Sequence, residues 1–204
     1  AESLYWIGRN IERADHSARF LKVQYFSTLD TPMLRNKDFI LRSIMFMAGS
    51  NNQIQGELIE KEVWKNVIFD INNPNTLFSI IKNARENARS IRNSISIETW
   101  ESINKLYLLC STYDQNRFGS GDLFKFSEDM KSNISVIKSN ITNTILHDDC
   151  YHFICIGIYI ERALQALRIV RNKISDWVIL SNNGENKPLV TYQWTILLPY
   201  SNSP

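Results

Sequence analysis

Apolar residues recur along this chain every three or four positions with charged and polar residues between them, the spacing of one buried face on an α-helix. Leu4, Ile7, Ile11, Ala14, Ala18 and Leu21 form the first such stripe and predict a helix over 3–28, ending near Asp30-Thr31-Pro32. A more apolar run containing Phe39, Ile40, Ile44, Met45 and Met47 predicts a second helix over 36–48, closed by Gly49-Ser50-Asn51-Asn52. A shorter helical stretch surrounds Val63-Trp64. The turn Asn72-Asn73-Pro74-Asn75 leads to Asn75 or Thr76 as helix cap, and Leu77, Phe78, Ile80, Ile81, Ala84, Ala88 and Ile91 then keep the helical period to about Asn93. Ser94 or Ser96 caps the next helix, 97–112, where Trp100, Ile103, Leu106, Tyr107 and Leu109 recur at helical spacing. Gly119-Ser120-Gly121 is the best linker candidate. Beyond it come helices over 122–146 and 149–180, the loop 182–188 and a last apolar stretch with Trp194, Ile196 and Leu197. The few β-capable runs are short and form no pattern of paired strands, so the expected fold class is all-α, a multi-helix bundle.

One pattern occurs twice. Gly8-Arg9-Asn10-Ile11-Glu12-Arg13-Ala14 with Arg19, and Gly157-Ile158-Tyr159-Ile160-Glu161-Arg162-Ala163 with Arg168, both read G-x-x-I-E-R-A-x-x-x-x-R. A repeat of this kind predicts one domain over 1–204 made of two related halves, 1–118 and a partial second half 119–204. Glycine in each copy would let another backbone approach closely, making Gly8 and Gly157 the expected helix contact. Adjacent residues on a helix point about 100° apart, so Glu12 cannot pair well with Arg13, nor Glu161 with Arg162. Each needs an outside partner. If the two helices lie about a pseudo-two-fold axis, Glu12 meets Arg162 and Glu161 meets Arg13, with Arg19 and Arg168 joining the edges. The simplest reading of these six residues is an ion-pair lock that fixes helix register. The alternative is a site in which Glu12 and Glu161 act as acid and base while Arg13 and Arg162 hold an anion.

Composition narrows the function without naming it. A chain of 204 residues can bury a real core. The formal charge is only +2 and basic residues are interleaved with acidic ones, which argues against nucleic acid as a partner. Cys110, Cys150 and Cys155 form an odd set without C-x-x-C, which fits a reduced, cytoplasmic setting better than a disulfide scaffold. The hydropathy peak over 153–160 is stopped by Glu161-Arg162, well short of the roughly 20 apolar residues a membrane span requires. The chain opens on Ala1-Glu2-Ser3 rather than Met, so a longer natural chain is expected.

Two further clusters carry possible chemistry. Arg85, Arg89 and Arg92 line one helix face with Lys82 a turn earlier and Glu86 beside them; this is either a solvated, ion-paired face or an anion-binding site. Glu12 with His16, and Asp148 with His152, have ligand types at one-turn spacing, yet neither pair has a complement making four ligands, so no metal and no cofactor is expected. Asp148 and Asp149 equally suit a helix start. There is no phosphate-cradling glycine loop, no G-x-S-x-G and no H-E-x-x-H.

The stretch Leu4 to Asp15 with Ala18-Arg19 resembles the opening of the alpha-E family, a bacterial all-helical domain named for its Glu-Arg motif. Ala84 to Arg92, followed by Ser96, Glu98, Trp100, Glu101 and Asn104, resembles that family's central block. Phe153, Ile156, Gly157 and Ile160 to Ala163 with Arg168 resemble its second Glu-Arg helix. The three motifs follow family order across most of the chain. The second copy departs from the first in carrying Leu164 where the first has Asp15 and Ile158 where the first has Arg9. Family members typically continue past the second repeat, and Trp194 to Leu198 looks like the start of that continuation, so an incomplete second half is expected. Members tend to be encoded beside atypical ATP-grasp ligases, transglutaminase-like proteins and proteasome-like peptidases. The resemblance therefore implies a helper or scaffold for an ATP-grasp-type ligase or a transglutaminase-like protein in making or modifying peptides.

Overall fold

In the computed structural model, the described residues are 1–30, 41–42, 44–45, 58–115 and 118–182, and all of their regular structure is helical. Most of the expected 36–48 helix, the 182–188 loop beyond Asn182 and the stretch around Trp194 lie outside them; Leu41, Arg42, Ile44 and Met45 are helical. The elements are α1 (Glu2–Asp30), α2 (Glu60–Ile68), α3 (Leu77–Ser90), α4 (Ile97–Thr112), α5 (Ser120–Thr144) and α6 (Asp149–Asn182), with a 3₁₀ turn at Arg92–Ser94. The fold class is all-α.

Local chemistry sets the helix boundaries. Thr76 caps α3, its hydroxyl accepting from the Ser79 N–H at 3.3 Å, and Ser96 caps α4 by accepting from the Thr99 N–H at 3.2 Å. The helical run after Thr76 stops at Ser90, where the chain tightens into the 3₁₀ turn before Ser96. The Gly119-Ser120-Gly121 tract opens α5: Asp122 reaches back to accept from the Gly119 N–H at 3.0 Å, the backward half of a capping box. The residue before it, Phe118, is buried against Phe69 and Phe126.

α1 is the central helix and packs against α3, α5 and α6, while α4 closes the bundle against α3 and α5. Its stripe Leu4, Ile7, Ile11, Ala14, Ala18 and Leu21 is buried throughout. The core continues through Ile80, Ile81 and Ala84 of α3, Ile103 and Leu106 of α4, and Phe126, Met130, Ile134 and Ile137 of α5. Trp64 is fully buried, and its indole N–H donates to Glu60 at 3.3 Å, so a polar tip is satisfied inside the core. Cys110, Cys150 and Cys155 are free thiols. No described helix is long and apolar enough to cross a membrane.

Candidate functional site

α1 and α6 meet at their glycines. A β-carbon on Gly8 would fall on the Ile154 carbonyl oxygen and lie 3.1 Å from the Ile158 nitrogen; one on Gly157 would fall on the Tyr5 carbonyl oxygen and lie 3.0 Å from the Arg9 nitrogen. The contact is reciprocal. Each glycine faces the residue three before, and the residue one after, the other glycine, as a local two-fold relation between the helices requires. With backbones this close, the residues one turn on, Glu12 and Glu161, are carried into the interface; they are 3% and 0% exposed.

Two charged centres follow. Arg13 grips Glu161 with a fork, Nε donating to Oε1 at 2.9 Å and Nη2 to Oε2 at 3.0 Å. Arg9 Nε donates to Oε2 of the same carboxylate at 2.5 Å, and Gln165 Nε2 to Oε1 at 2.6 Å. At the other centre Arg162 Nε donates to Glu12 Oε1 at 2.9 Å. The second Glu12 oxygen lies 2.7 Å from Lys138 Nζ of α5, an ion pair to a third helix. Lys138 also donates to Asp15 at 2.5 Å, and Asp15 accepts from Arg19 at 2.8 Å.

The two centres differ because the repeat is imperfect. Ile158 stands where Arg9 stands in the first copy, so Glu12 has no second arginine and takes Lys138 from a third helix. Burial by itself raises the pKa of both carboxyls. For Glu161 the hydrogen bonds and charges of Arg13 and Arg9, with Gln165, outweigh it, and for Glu12 those of Arg162 and Lys138 do the same, so both lie below the usual carboxylate value. Each remains ionised at neutral pH.

Among the expected members of the lock, Glu12, Arg13, Glu161 and Arg162 bridge α1 and α6 directly, whereas Arg19 is held within α1 by Asp15. Arg168 stands outside. It has no acidic partner among the described residues, because its stripe on α6 leads past the crossing toward a cavity rather than onto a carboxylate. The partners that the sequence reading did not assign are Arg9, Gln165, Asp15 and Lys138. Arg9 lies one turn before Arg13, and Gln165 one turn after Glu161, so helical spacing could have marked both; nothing in the repeat points to Lys138.

The arginines of α3 are engaged locally. Arg85 donates to Asn104 of α4 at 2.7 Å and lies over the Tyr107 ring, Arg89 reaches Glu86 at 3.5 Å, and Arg92 covers the Trp100 ring at 4.8 Å. Asp148 accepts from the Cys150 N–H at 2.9 Å and so serves as a cap for α6. No group of three or more His, Cys, Asp or Glu residues suited to a metal ion occurs among the described residues.

Two helices crossing at paired glycines, with Glu-Arg pairs exchanged between them, define an all-helical domain organised around a doubled Glu-Arg motif. The family model Alpha-E, a predicted alpha-helical domain with a conserved ER motif, matches residues 1–203, and the chain belongs to that family. No curated protein and no solved structure matches the chain.

Proposed function

We propose that this chain is a non-catalytic helical scaffold, built from two related halves, that supports an ATP-grasp-type ligase or a transglutaminase-like protein in making or modifying peptides in the bacterial cytoplasm. The observation that carries the non-catalytic reading is the state of Glu12 and Glu161. A general acid or base works best with a pKa near the operating pH and must reach the substrate. Both carboxyls here are buried, paired with basic groups and held below the usual range. Their geometry suits fixing the register of two helices.

A partner protein also needs a surface. α6 presents Phe153, Ile156, Ile160, Leu167, Val170 and Ile174 exposed at intervals of three, four and seven, an apolar stripe of the kind that docks against another protein. Affinity purification of the full-length protein from its host is expected to recover a ligase or transglutaminase-like protein; recovery of neither contradicts the partner assignment.

The role of the motif is tested by Glu12→Gln and Glu161→Gln protein, confirmed folded by circular dichroism and assayed with the partner. The scaffold reading predicts peptide-forming or peptide-modifying activity largely retained. Loss of turnover by roughly 10²–10⁴-fold in a folded variant would instead make the carboxylates acid–base catalysts.

A further inference from the structure

The charge lock leaves one group over. Around Glu161 stand Arg9, Arg13 and, a turn beyond Gln165, Arg168, three guanidinium groups and one carboxylate. Arg9 and Arg13 use Glu161; Arg168, exposed along part of its side chain, makes no ion pair or hydrogen bond among the described residues. Partial burial and then the charge of Arg13 press its pKa downward, Glu161 offsets part of this, and Arg9 adds to it. A cation kept in repulsive company is stabilised by any anion placed beside it.

A space for such an anion exists. Between α1, α3 and α6 lies a cavity of about 40 Å³ whose polar lining is Arg13, His16, Ser17, Asn75, Gln165 and Arg168. Its apolar lining includes Phe20, Leu77, Ile80 and Ile169. At roughly 10–15 Å³ per water the volume corresponds to about three waters, the size of a carboxylate with a short carbon stub. Arg13 commits Nε and Nη2 to Glu161, which leaves its Nη1 without an assigned acceptor. His16 Nε2 is a buried atom without a hydrogen-bond partner among the described residues, which is costly unless something fills that role.

We propose that the cavity bounded by Arg13, His16 and Arg168 is a binding site for a carboxylate group carrying a small apolar chain, such as the terminus or acidic side chain of a peptide. The lining selects the class. Three guanidinium groups against the single carboxylate of Glu161 leave the centre cationic, and the apolar lining accommodates a carbon stub on the anion, which inorganic phosphate lacks. A guanidinium fork on a planar carboxylate is the strong, directional form of this contact. The site uses the second-copy arginine that the lock does not, and it stands whether or not the scaffold reading does.

The test titrates the full chain with propionate and, separately, with inorganic phosphate in low-chloride buffer, following the His16 ring resonances by NMR and heat by calorimetry. Saturable propionate binding that moves the His16 resonances is expected, and Arg168→Gln should weaken it by about tenfold or more. Arg168→Gln should also leave the ligand-free melting temperature unchanged or raised, since it relieves repulsion from Arg13. Phosphate binding more tightly than propionate, no saturable binding of either, or full propionate affinity in Arg168→Gln would each overturn the proposal. Binding that leaves the His16 resonances in place would put the anion elsewhere and overturn it as well.

Discussion

Glu161 keeps its charge in a setting where it has no solvent. Its carboxylate accepts four hydrogen bonds from three side chains, so nearly every lone-pair direction is used and little desolvation cost is left uncompensated. Glu12 has a looser arrangement. Arg162 is 55% exposed where Arg13 is 18% exposed, and Lys138 is shared with Asp15. Solvent screening therefore weakens the Arg162 pair relative to the Arg13 pair. Both carboxyl pKa values are lower folded than the ordinary 4.5, so the lock contributes fully above that value and its contribution is lost as pH falls below it. His16 adds a second, higher window. Burial first, then the charges of Arg19 and Arg168, push its pKa from 6.5 to about 4, against the opposite pull of Asp15 and Glu12. The unfolded chain then binds the extra proton between those values, so stability should fall as pH drops from about 6.5 to about 4, by up to about 3 kcal/mol. Denaturant melts across that range should show the decline in the wild type and a flatter curve in His16→Gln. Superimposable curves would mean that His16 titrates normally in the folded protein.

At the scale of elements, the glycines decide how near α1 and α6 come, and the charges decide their register. A methyl group at Gly8 or Gly157 meets backbone that cannot rotate away, so Gly8→Ala should force the helices apart and cost about 1–3 kcal/mol or more. Gly121 has nothing within 4 Å of its missing β-carbon and sits in the first turn of α5, so Gly121→Ala should be neutral or stabilising by about 0.5–1 kcal/mol. Thermal melts of the two variants check the opposite signs. Much of this level was readable in the residues. The period of three and four placed α1, α4 and α6 within a few residues of their bounds, and the cap candidates Asn75 or Thr76 and Ser94 or Ser96 marked two helix starts, of which Thr76 and Ser96 serve. Lys138 was not readable, because a repeat relates only its own two copies and α5 belongs to neither Glu-Arg helix. Arg168 was misplaced for the complementary reason: sequence symmetry carries the role of Arg19 onto it, but the acid that holds Arg19 is Asp15, and Leu164 stands in its place in the second copy.

For the whole molecule, the consequence is that the first helix and the last described one are tied together across about 150 residues of chain. α1 is wrapped by α3, α5 and α6, and the doubled motif lies on the face toward α6 and Lys138. A contact between residues so far apart in sequence is a tertiary one, so the pair reports on how α1 and α6 are docked rather than on one local turn. The most direct measurement is a double-mutant cycle on Arg13 and Glu161, with Arg13→Gln, Glu161→Gln and the double variant unfolded in denaturant beside the wild type. If the pair fixes α1 against α6, each single change is destabilising and the two are non-additive, with a coupling on the order of 1–3 kcal/mol. Effects that add within about 0.5 kcal/mol would show the two residues to be independent and would contradict the lock.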